Sequence, residues 1–145
     1  MIANPMKTKD TYNNTNYKLI IATHNVQSIS NHIKQNQLLQ HIHHNNIDIL
    51  GVSETNLKPL EAKNFHLHNN SEYTYFFSSN KEQTIGSGVD LIVKKDIAMH
   101  IFNHGHIDGR MIFIDIHSKG KQVLRIIQIY LHANKLQIKE RIKLQ

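Results

Sequence analysis

The order of elements near the start of the chain constrains the fold more than any other feature of the sequence. Residues 18–26 ("KLIIATHNV") and residues 47–53 ("IDILGVS") are apolar and β-prone, and residues 30–46 lie between them. This middle segment carries Leu38 and Ile42 at helical spacing, which predicts a helix. A strand, a helix and a second strand in so short a stretch predict a parallel strand pair joined by a right-handed crossover.

The second strand runs directly into a lone carboxylate, that of Glu54. Ile49, Leu50 and Val52 come just before it, and we expect this strand to be covered on both faces, as parallel strands of α/β proteins are. A carboxylate at the end of such a strand is costly to desolvate and usually meets a cation, a hydrogen-bond donor or water. Glu54 is therefore a candidate site residue, and the plainer alternative is a solvated loop residue.

Amino-acid composition limits the kinds of binding partner and the cellular compartment that we expect. The 145 residues carry a formal net charge of +6, which favours an anionic partner such as nucleic acid. The lysines are scattered without a run of like charges, so the charge alone identifies no binding surface. The absence of cysteine excludes disulfides and thiolate metal sites. No segment resembles a signal peptide or approaches the ~18 apolar residues of a membrane span, so we expect a soluble intracellular protein without a membrane partner.

The rest of the sequence predicts mainly strands. Residues 58–71 are polar and are assigned no element. Strands are then predicted over residues 72–79, 88–95, 110–118 and 121–133. Residues 118–121 ("SKGK") are typical of a hairpin turn between the last two strands. Residues 134–145 begin a predicted helix, and residues 1–17 form a polar leader that we expect to be disordered.

Two further motifs suggest ligand sites but have simpler explanations. His41 and His44 lie one helical turn apart, and His104 and His106 share a glycine-containing loop, which raises the alternative of a zinc site. Zinc sites need three or four ligands with supporting partners, so exposed positions on a helix and a loop are favoured. Residues 86–88 ("GSG") precede a strand instead of opening a helix, which predicts a turn rather than a phosphate-binding loop.

Four stretches of the sequence carry a family resemblance. They are "IIATHNVQSI", "IDILGVSETNL", "GSGVDLIVKKDI" and "GRMIFIDI" with the following "LRIIQIYLHAN". In order and spacing they resemble the endonuclease/exonuclease/phosphatase family, and the "ETNLKP" version is most similar to the endonuclease domains encoded by non-LTR retrotransposons. The resemblance covers residues 18–145 but only the first half or slightly more of that family's domain. It implies a truncated domain with an α/β fold, the amino-terminal part of a four-layer sandwich in which helices flank a mixed sheet.

The resemblance also implies three site residues. Glu54 is similar to the family's carboxylate that ligates a catalytic divalent cation, and Asn25 to the asparagine that closes the first strand and helps to hold this metal site. Tyr130 is similar to the tyrosine that contacts the scissile phosphate. The implied cofactor is Mg²⁺ or Mn²⁺, because hard oxygen ligands suit such cations. The place of Glu54 agrees with ligand sites at the carboxyl ends of strands in α/β sheets.

The sequence also departs from the family's pattern. Gln27 stands where many members carry an acid, and His132 stands where a proline is expected two residues after Tyr130. The family's later Asp-x-Asn and Asp-His pairs have no counterpart, because every aspartate of this chain precedes Tyr130. Those residues orient the attacking water and act as general base, so we expect the isolated chain to be inactive.

We therefore predict a fragment of a magnesium-dependent phosphodiesterase or endonuclease of retroelement origin that acts on nucleic acid, with DNA as the first choice. Two alternatives stay open: a catalytically dead nucleic-acid-binding remnant, and a truncated product without a selected function. Within the family, a phosphatase or a lipid phosphodiesterase also stays open, since the residues that choose the substrate lie mostly in the missing part.

A fragment of this kind is expected to have an incomplete core. The predicted strands supply essentially one sheet, whose inner face would lack the second sheet that covers it in the family. An exposed apolar patch of that size normally marks an interface or an aggregation hazard. We therefore expect a marginally stable chain that self-associates through the exposed sheet face.

Overall fold

The computed structural model describes residues 18–68, 72–80, 82, 85–118 and 121–131. In chain order the elements are β1 (Ile21–Asn25), α1 (His32–His44), β2 (Ile49–Ser53), α2 (Pro59–His68), β3 (Tyr73–Ser78), β4 (Val89–Lys94), α3 (Lys95–Ala98), β5 (Ile101–Ile107), β6 (Met111–His117) and β7 (Val123–Ile129). The predicted leader 1–17, the predicted helix 134–145 and the middle of the predicted turn 118–121 lie outside the described residues. None of the described helices is long and apolar enough to cross a membrane.

The first sheet, sheet A, contains four strands in the order β1-β2-β4-β3. β1 and β2 are parallel and are joined through α1, which confirms the predicted strand, helix and strand unit. β4 runs antiparallel to both of its neighbours, so sheet A is mixed. Helix α1 begins where Asn31 Oδ1 accepts a hydrogen bond from the backbone N–H of Ile33 at 2.8 Å, because this cap satisfies one of the free donors of the first turn.

The two longer helices cover one face of sheet A. Leu38 and Ile42 of α1 and Phe65 of α2 are buried in one apolar cluster with Leu50 and Ile92 of the sheet. Every residue of β2 is buried, which confirms the prediction that this strand is covered on both faces. The carboxyl end of β2, where Glu54 follows, is therefore set in a rigid and well-packed part of the fold.

The other face of sheet A packs against a second sheet. Sheet B is antiparallel and has the order β5-β6-β7. The buried residues between the two sheets are Ile49, Val89, Leu91 and Val93 from sheet A and Ile112, Ile114 and Ile116 from sheet B. The prediction of a single sheet with a wet inner face is therefore wrong, because β6 and β7 join β5 in a sheet that covers this face. The predicted α/β sandwich, with a mixed sheet and flanking helices, is confirmed.

Three elements are missing from the sequence prediction, namely β5, α2 and the four-residue helix α3. Strand β5 mixes polar and apolar residues, and it forms because it pairs with β6, where Gly105 leaves room for the ring of Phe113. Helix α2 lies in the polar stretch that was assigned no element. Its start is marked by Pro59 in the first turn and by Glu61, whose carboxylate accepts a hydrogen bond from the backbone N–H of Lys58 at 2.9 Å.

One carboxyl group, that of Asp90 in β4, is buried inside the fold. Asp90 is 2% exposed, and its Oδ1 accepts a hydrogen bond from the backbone N–H of Ser78 at 3.3 Å. Its Oδ2 and the hydroxyl oxygen of Thr55 make no hydrogen bond of good geometry among the described residues, although the Thr55 hydroxyl is close enough to Asp90 to lower its pKa slightly. Burial raises the pKa of Asp90 from its ordinary 3.8 to about 8, so the group is mostly protonated at neutral pH.

Replacing Asp90 by asparagine should remove a pH dependence from the stability of the fold. Because the pKa of Asp90 rises from 3.8 to about 8 on folding, the folded chain holds a proton between these pH values that the unfolded chain releases. The free energy of unfolding of the wild type should therefore fall by up to about 1.4 kcal/mol per pH unit across this window. Asp90→Asn should abolish that slope and be the more stable chain at neutral pH.

Urea denaturation across the same pH window checks this prediction. Asp96→Asn, which replaces an exposed carboxylate in α3, is the matched control and should keep the wild-type slope. If the unfolding free energy of Asp90→Asn fell with pH as steeply as that of the wild type, the proton taken up on folding would have to belong to a group other than Asp90.

Candidate active site

Backbone hydrogen bonds join the loops that follow β1 and β2 at the carboxyl end of sheet A. They run from Val26 N–H to Ser53 O (3.1 Å), from Ser28 N–H to Glu54 O (2.7 Å) and from Ile29 N–H to Thr55 O (3.0 Å). The parallel register of the two strands ends with Asn25 opposite Ser53, and these bonds continue the pairing beyond it. The side chains of Asn25 and Glu54 therefore emerge next to each other.

Both loops contain residues in the left-handed region of backbone conformation. The φ angle is +46° at Gln27 and +79° at Ser28 in the first loop, and +57° at Glu54 and +52° at Asn56 in the second. Residues other than glycine cost on the order of 1–3 kcal/mol each in this region, and such strain clusters at functional sites. The bonds between the loops hold the strained backbone in place, so the backbone of Glu54 is positioned by contacts other than those of its side chain.

The carboxylate of Glu54 is held by two side chains from other parts of the chain. Asn25 Nδ2 donates to Glu54 Oε1 at 2.9 Å, and the Tyr130 hydroxyl donates to the same oxygen at 2.6 Å. The Asn25 amide is oriented in turn by the backbone N–H of Gln27, which donates to its Oδ1 at 3.2 Å. Neither side-chain bond uses Glu54 Oε2. The structure thus brings all three sequence-predicted residues together and anchors one oxygen of the carboxylate.

These hydrogen bonds set the protonation of both partners. The bond from Tyr130, followed by the bond from Asn25, lowers the pKa of Glu54 below its ordinary value, against a smaller opposing effect of burial. The same bond to Glu54, followed by burial, raises the pKa of Tyr130. At neutral pH the pair is therefore an ionised carboxylate and a protonated phenol, which is the form in which the phenol can donate.

Arg110 positions Tyr130 from below the site. Its backbone carbonyl accepts a hydrogen bond from Tyr130 N–H at 2.9 Å, and its guanidinium carbon lies 5.7 Å from the centre of the tyrosine ring. The guanidinium Nη1 also donates to Gly86 O at 2.9 Å. Sequence patterns do not identify Arg110 as part of the site. Its place directly before an apolar strand is a weak signal of burial, and a buried arginine usually has hydrogen-bonding or charged partners.

A side-chain hydrogen bond between the two sheets lies close to the site. Thr23 Oγ1 of β1 donates to Gln128 Oε1 of β7 at 3.1 Å. The Gln128 side chain also lies over Gly51 of β2, where a Cβ atom would collide with Oε1. With glycine at position 51, the Gln128 side chain can lie directly against β2, and a larger residue there would displace the end of this side chain.

The Gly-Ser-Gly segment forms the predicted turn and borders the site. Gly86 and Gly88 have φ angles of +75° and +94°, and they precede β4. Gly86 N–H donates to Asn56 Oδ1 at 2.9 Å, which ties the turn to the loop that carries Glu54. A Cβ atom on Gly86 would lie 3.9 Å from the Tyr130 hydroxyl, so this turn lies beside the phenol.

The zinc alternative gains no support from the structure. In the part of the chain that the structure describes, no group of three or more histidine, aspartate or glutamate side chains could hold a metal ion. The pair His41 and His44 and the pair His104 and His106 therefore lack the further ligands that a zinc site needs.

Comparison with solved structures identifies the fold. The chain is similar to the AP endonuclease LMAP from Leishmania major, with a TM-score of 0.64 and 16% identity, over 89% of this chain and 44% of that one. It is similar to D. rerio TDP2 complexed with single strand DNA product, with a TM-score of 0.60 and 17% identity, over 87% and 51% of the two chains. It is also similar to the 3' phosphatase NExo from Neisseria bound to a product DNA hairpin, with a TM-score of 0.58 and 18% identity, over 86% and 48%.

These comparisons concern the fold and its extent. No protein-family model matches the sequence, and no curated protein matches it either. The chain spans about half the length of the solved structures to which it is similar. At such low sequence identity the likeness shows a common fold, and this fold is that of the endonuclease/exonuclease/phosphatase proteins.

Removal of the Tyr130 hydroxyl should raise the pKa of Glu54. The reason is that the hydrogen bond from Tyr130 is the largest cause of the lowered value, while Tyr130→Phe keeps the ring in place. Asn25→Ala should raise the pKa of Glu54 by a smaller amount. An acid titration of the Glu54 carboxyl carbon by NMR measures both effects, and an unchanged titration in Tyr130→Phe would contradict the assigned bond.

Proposed function

We propose that this chain is the amino-terminal part of a phosphodiesterase that uses a divalent cation to cleave nucleic acid. The anchored carboxylate of Glu54 carries the proposal: Oε1 is fixed by Asn25 and Tyr130, and Oε2 accepts neither of their hydrogen bonds. The lowered pKa of Glu54 keeps it ionised at neutral pH, as a metal ligand must be. The fold, which this chain has in common with nucleases and phosphatases, supports the same function.

The donors present fit Mg²⁺ or Mn²⁺ better than a softer metal. Glu54 offers a hard carboxylate oxygen, and these cations bind through one or two carboxylates while they keep several waters. Asn25 Oδ1 already accepts the N–H of Gln27, so Asn25 supports the metal by holding its ligand Glu54. When bound, the cation would polarise a phosphoryl oxygen and stabilise the leaving group.

Tyr130 is the proposed contact to the scissile phosphate. Its hydroxyl lies 2.6 Å from Glu54 Oε1 and is half-buried at the rim of the same site. A phosphate oxygen bound beside Glu54 would meet this donor, and the Arg110 guanidinium behind the ring adds a favourable positive charge. Tyr130 would thus orient the substrate while it keeps the carboxylate in place.

DNA is the proposed substrate. Two of the solved structures similar to this chain contain DNA: the TDP2 structure holds a single-stranded product and the NExo structure a product hairpin. The net charge of +6 favours a polyanion, although the positive residues are dispersed. The "ETNLKP" stretch, in which Glu54 lies, supports an origin in a retroelement endonuclease.

The isolated chain is proposed to be inactive and to self-associate. Every aspartate of the sequence precedes Tyr130, so the two acidic pairs expected after it, which orient water and act as general base, are missing.

The predicted inner face is covered by sheet B, but apolar residues of β7 stay exposed, among them Val123 and Ile127. Exposed apolar strands are a common cause of association.

The missing acidic pairs favour one alternative function, that of a nucleic-acid-binding remnant without catalysis. Such a remnant would keep the positive charge and would bind DNA with an affinity that falls steeply with salt concentration. It would not cleave DNA in the presence of metal. Measurements of binding and of cleavage on the same preparation therefore distinguish the two functions.

Weak metal binding at Glu54 is the first expected outcome. One carboxylate leaves most of the coordination sphere to water, so titration with Mg²⁺ or Mn²⁺ should shift the backbone amide signals of residues 52–56 only at high metal concentration. Glu54→Gln should abolish these shifts, whereas Glu72→Gln, which removes an exposed carboxylate elsewhere, should leave them intact. Shifts that are absent in the wild type, or that persist in Glu54→Gln, would rule out Glu54 as the ligand.

Cleavage by the chain alone is expected to stay at background. On supercoiled plasmid with Mg²⁺, the 145 residues should nick DNA no faster than buffer, because the general base is missing. Robust nicking that disappears in Glu54→Ala would show that other groups complete the site and that the chain is a full catalyst.

A further inference from the structure

Residues 27–29, which we call the connecting loop, join β1 to α1 and have their backbone groups bonded on two sides. Their three N–H groups donate, in chain order, to Asn25 Oδ1 at 3.2 Å, to Glu54 O at 2.7 Å and to Thr55 O at 3.0 Å. Their three carbonyl oxygens accept hydrogen bonds from side chains of α1. A segment whose donors and acceptors are all paired has one defined position, because each lost pairing would be costly.

Two residues near the start of α1, Lys34 and Gln35, supply the donors to these carbonyls, and we call them the α1 clamp. Lys34 Nζ donates to Gln27 O and to Ser28 O, at 3.2 Å in each case. Gln35 is 4% exposed, and its Nε2 donates to Ile29 O at 2.8 Å. Helical side chains tilt towards the amino terminus of their helix, so residues at its start can reach the chain that precedes it. The α1 clamp therefore holds the connecting loop from the side opposite the candidate site.

The stability of the helix does not explain a lysine at position 34. The helix begins at His32 after the cap Asn31, and its first turn contains no acidic residue. A cation there meets the positive end of the helix dipole, which favours an acidic side chain instead. The bonds that offset this cost are made to Gln27 and Ser28, both of which have positive φ angles. The charged donor thus stabilises the strained part of the connecting loop.

The α1 clamp has a rigid support in the core of the fold. Leu38 and Ile42, which follow it on the buried face of α1, are packed in the apolar cluster that includes Leu50 of β2. Because such interiors are close-packed, α1 cannot shift along sheet A without disturbing that cluster. The position of the helix is therefore passed on, through two side chains, to the connecting loop.

We propose that Lys34 and Gln35 are positioning residues that hold Asn25 and Glu54 in place by way of the connecting loop. Without the α1 clamp, the Gln27 N–H that orients the Asn25 amide would be free to move. The two bonds from the loop to the backbone at Glu54 and beyond it would loosen as well. The consequence for metal affinity rests on the proposed function, whereas the consequence for the geometry of the loop does not.

Four variants of the whole chain test this proposal. Lys34→Met and Gln35→Met remove the donors of the α1 clamp, because methionine is an unbranched side chain of similar length that donates no hydrogen bond. Lys34→Arg is the conservative variant, since a guanidinium group can donate to both carbonyls. Lys63→Met is the matched control, because it removes an exposed lysine from the other long helix, α2.

Amide hydrogen exchange of the metal-free protein reports on the connecting loop directly. In both methionine variants of the α1 clamp, the amides of Ser28 and Ile29 should exchange about tenfold faster than in the wild type, because the loop has lost a bond on its other side. The side-chain amide signals of Asn25 should shift in the same variants. The amides of β4 should keep their wild-type rates, which separates local loosening from a loss of global stability. The conservative variant and the control should both behave as the wild type.

Mn²⁺ titration of the same variants supplies the second measurement. The dissociation constant, measured from the amide signals of residues 52–56, should rise roughly tenfold in Lys34→Met and should return to the wild-type value in Lys34→Arg. Unchanged exchange of the Ser28 and Ile29 amides in both clamp variants would overturn the inference, as would faster exchange with unaltered Mn²⁺ affinity. A wild type that binds no Mn²⁺ would contradict the proposed function alone, and the exchange rates would still decide whether the α1 clamp holds the loop.

Discussion

The packing of sheet B onto the inner face of sheet A is the interaction on which the rest of the structure depends. It buries Leu91 against the isoleucines of β6, and burial of such side chains is the main favourable term in folding. The same packing brings Tyr130 to Glu54, 76 positions away in the sequence. Without sheet B, Glu54 would keep Asn25 as a partner but would lose the hydrogen bond that most lowers its pKa. The packing that forms the core between the sheets therefore also completes the candidate site.

The region around Glu54 combines several features that reduce stability. Glu54 and its neighbour Asn56 have positive φ angles, and behind this loop Thr55 and Asp90 each bury a polar atom without a partner among the described residues. Each such feature costs free energy, and the apolar packing on both faces of β2 must offset the sum. Strain and unpaired polar groups that concentrate at a strand end are typical of positions kept for chemistry rather than for folding.

The sequence predicts local features of this chain better than long-range ones. The parallel pair and its helix follow from short apolar segments, and the position of Glu54 follows from the end of β2, so these could be predicted. Asn25 and Tyr130 came from the family resemblance, and the structure brings both to Glu54, while their chemical roles stay predictions. The second sheet could not be predicted, because β5 has a polar pattern and exists only through its pairing with β6. Arg110 and Asp90 were missed for a similar reason, since burial depends on elements distant in sequence.

Gly51 has a consequence for how the site tolerates change. It carries no functional group and lies in the interior of β2, yet the Gln128 side chain occupies the space that its Cβ would fill. A larger residue there would displace the end of the Gln128 side chain and its hydrogen bond with Thr23, two residues before Tyr130 in the chain. A hydrogen bond of 2.6 Å weakens when its partners separate by a few tenths of an ångström. The site would therefore accept a larger residue at position 51 only where the flexible Gln128 side chain can turn away without moving Tyr130.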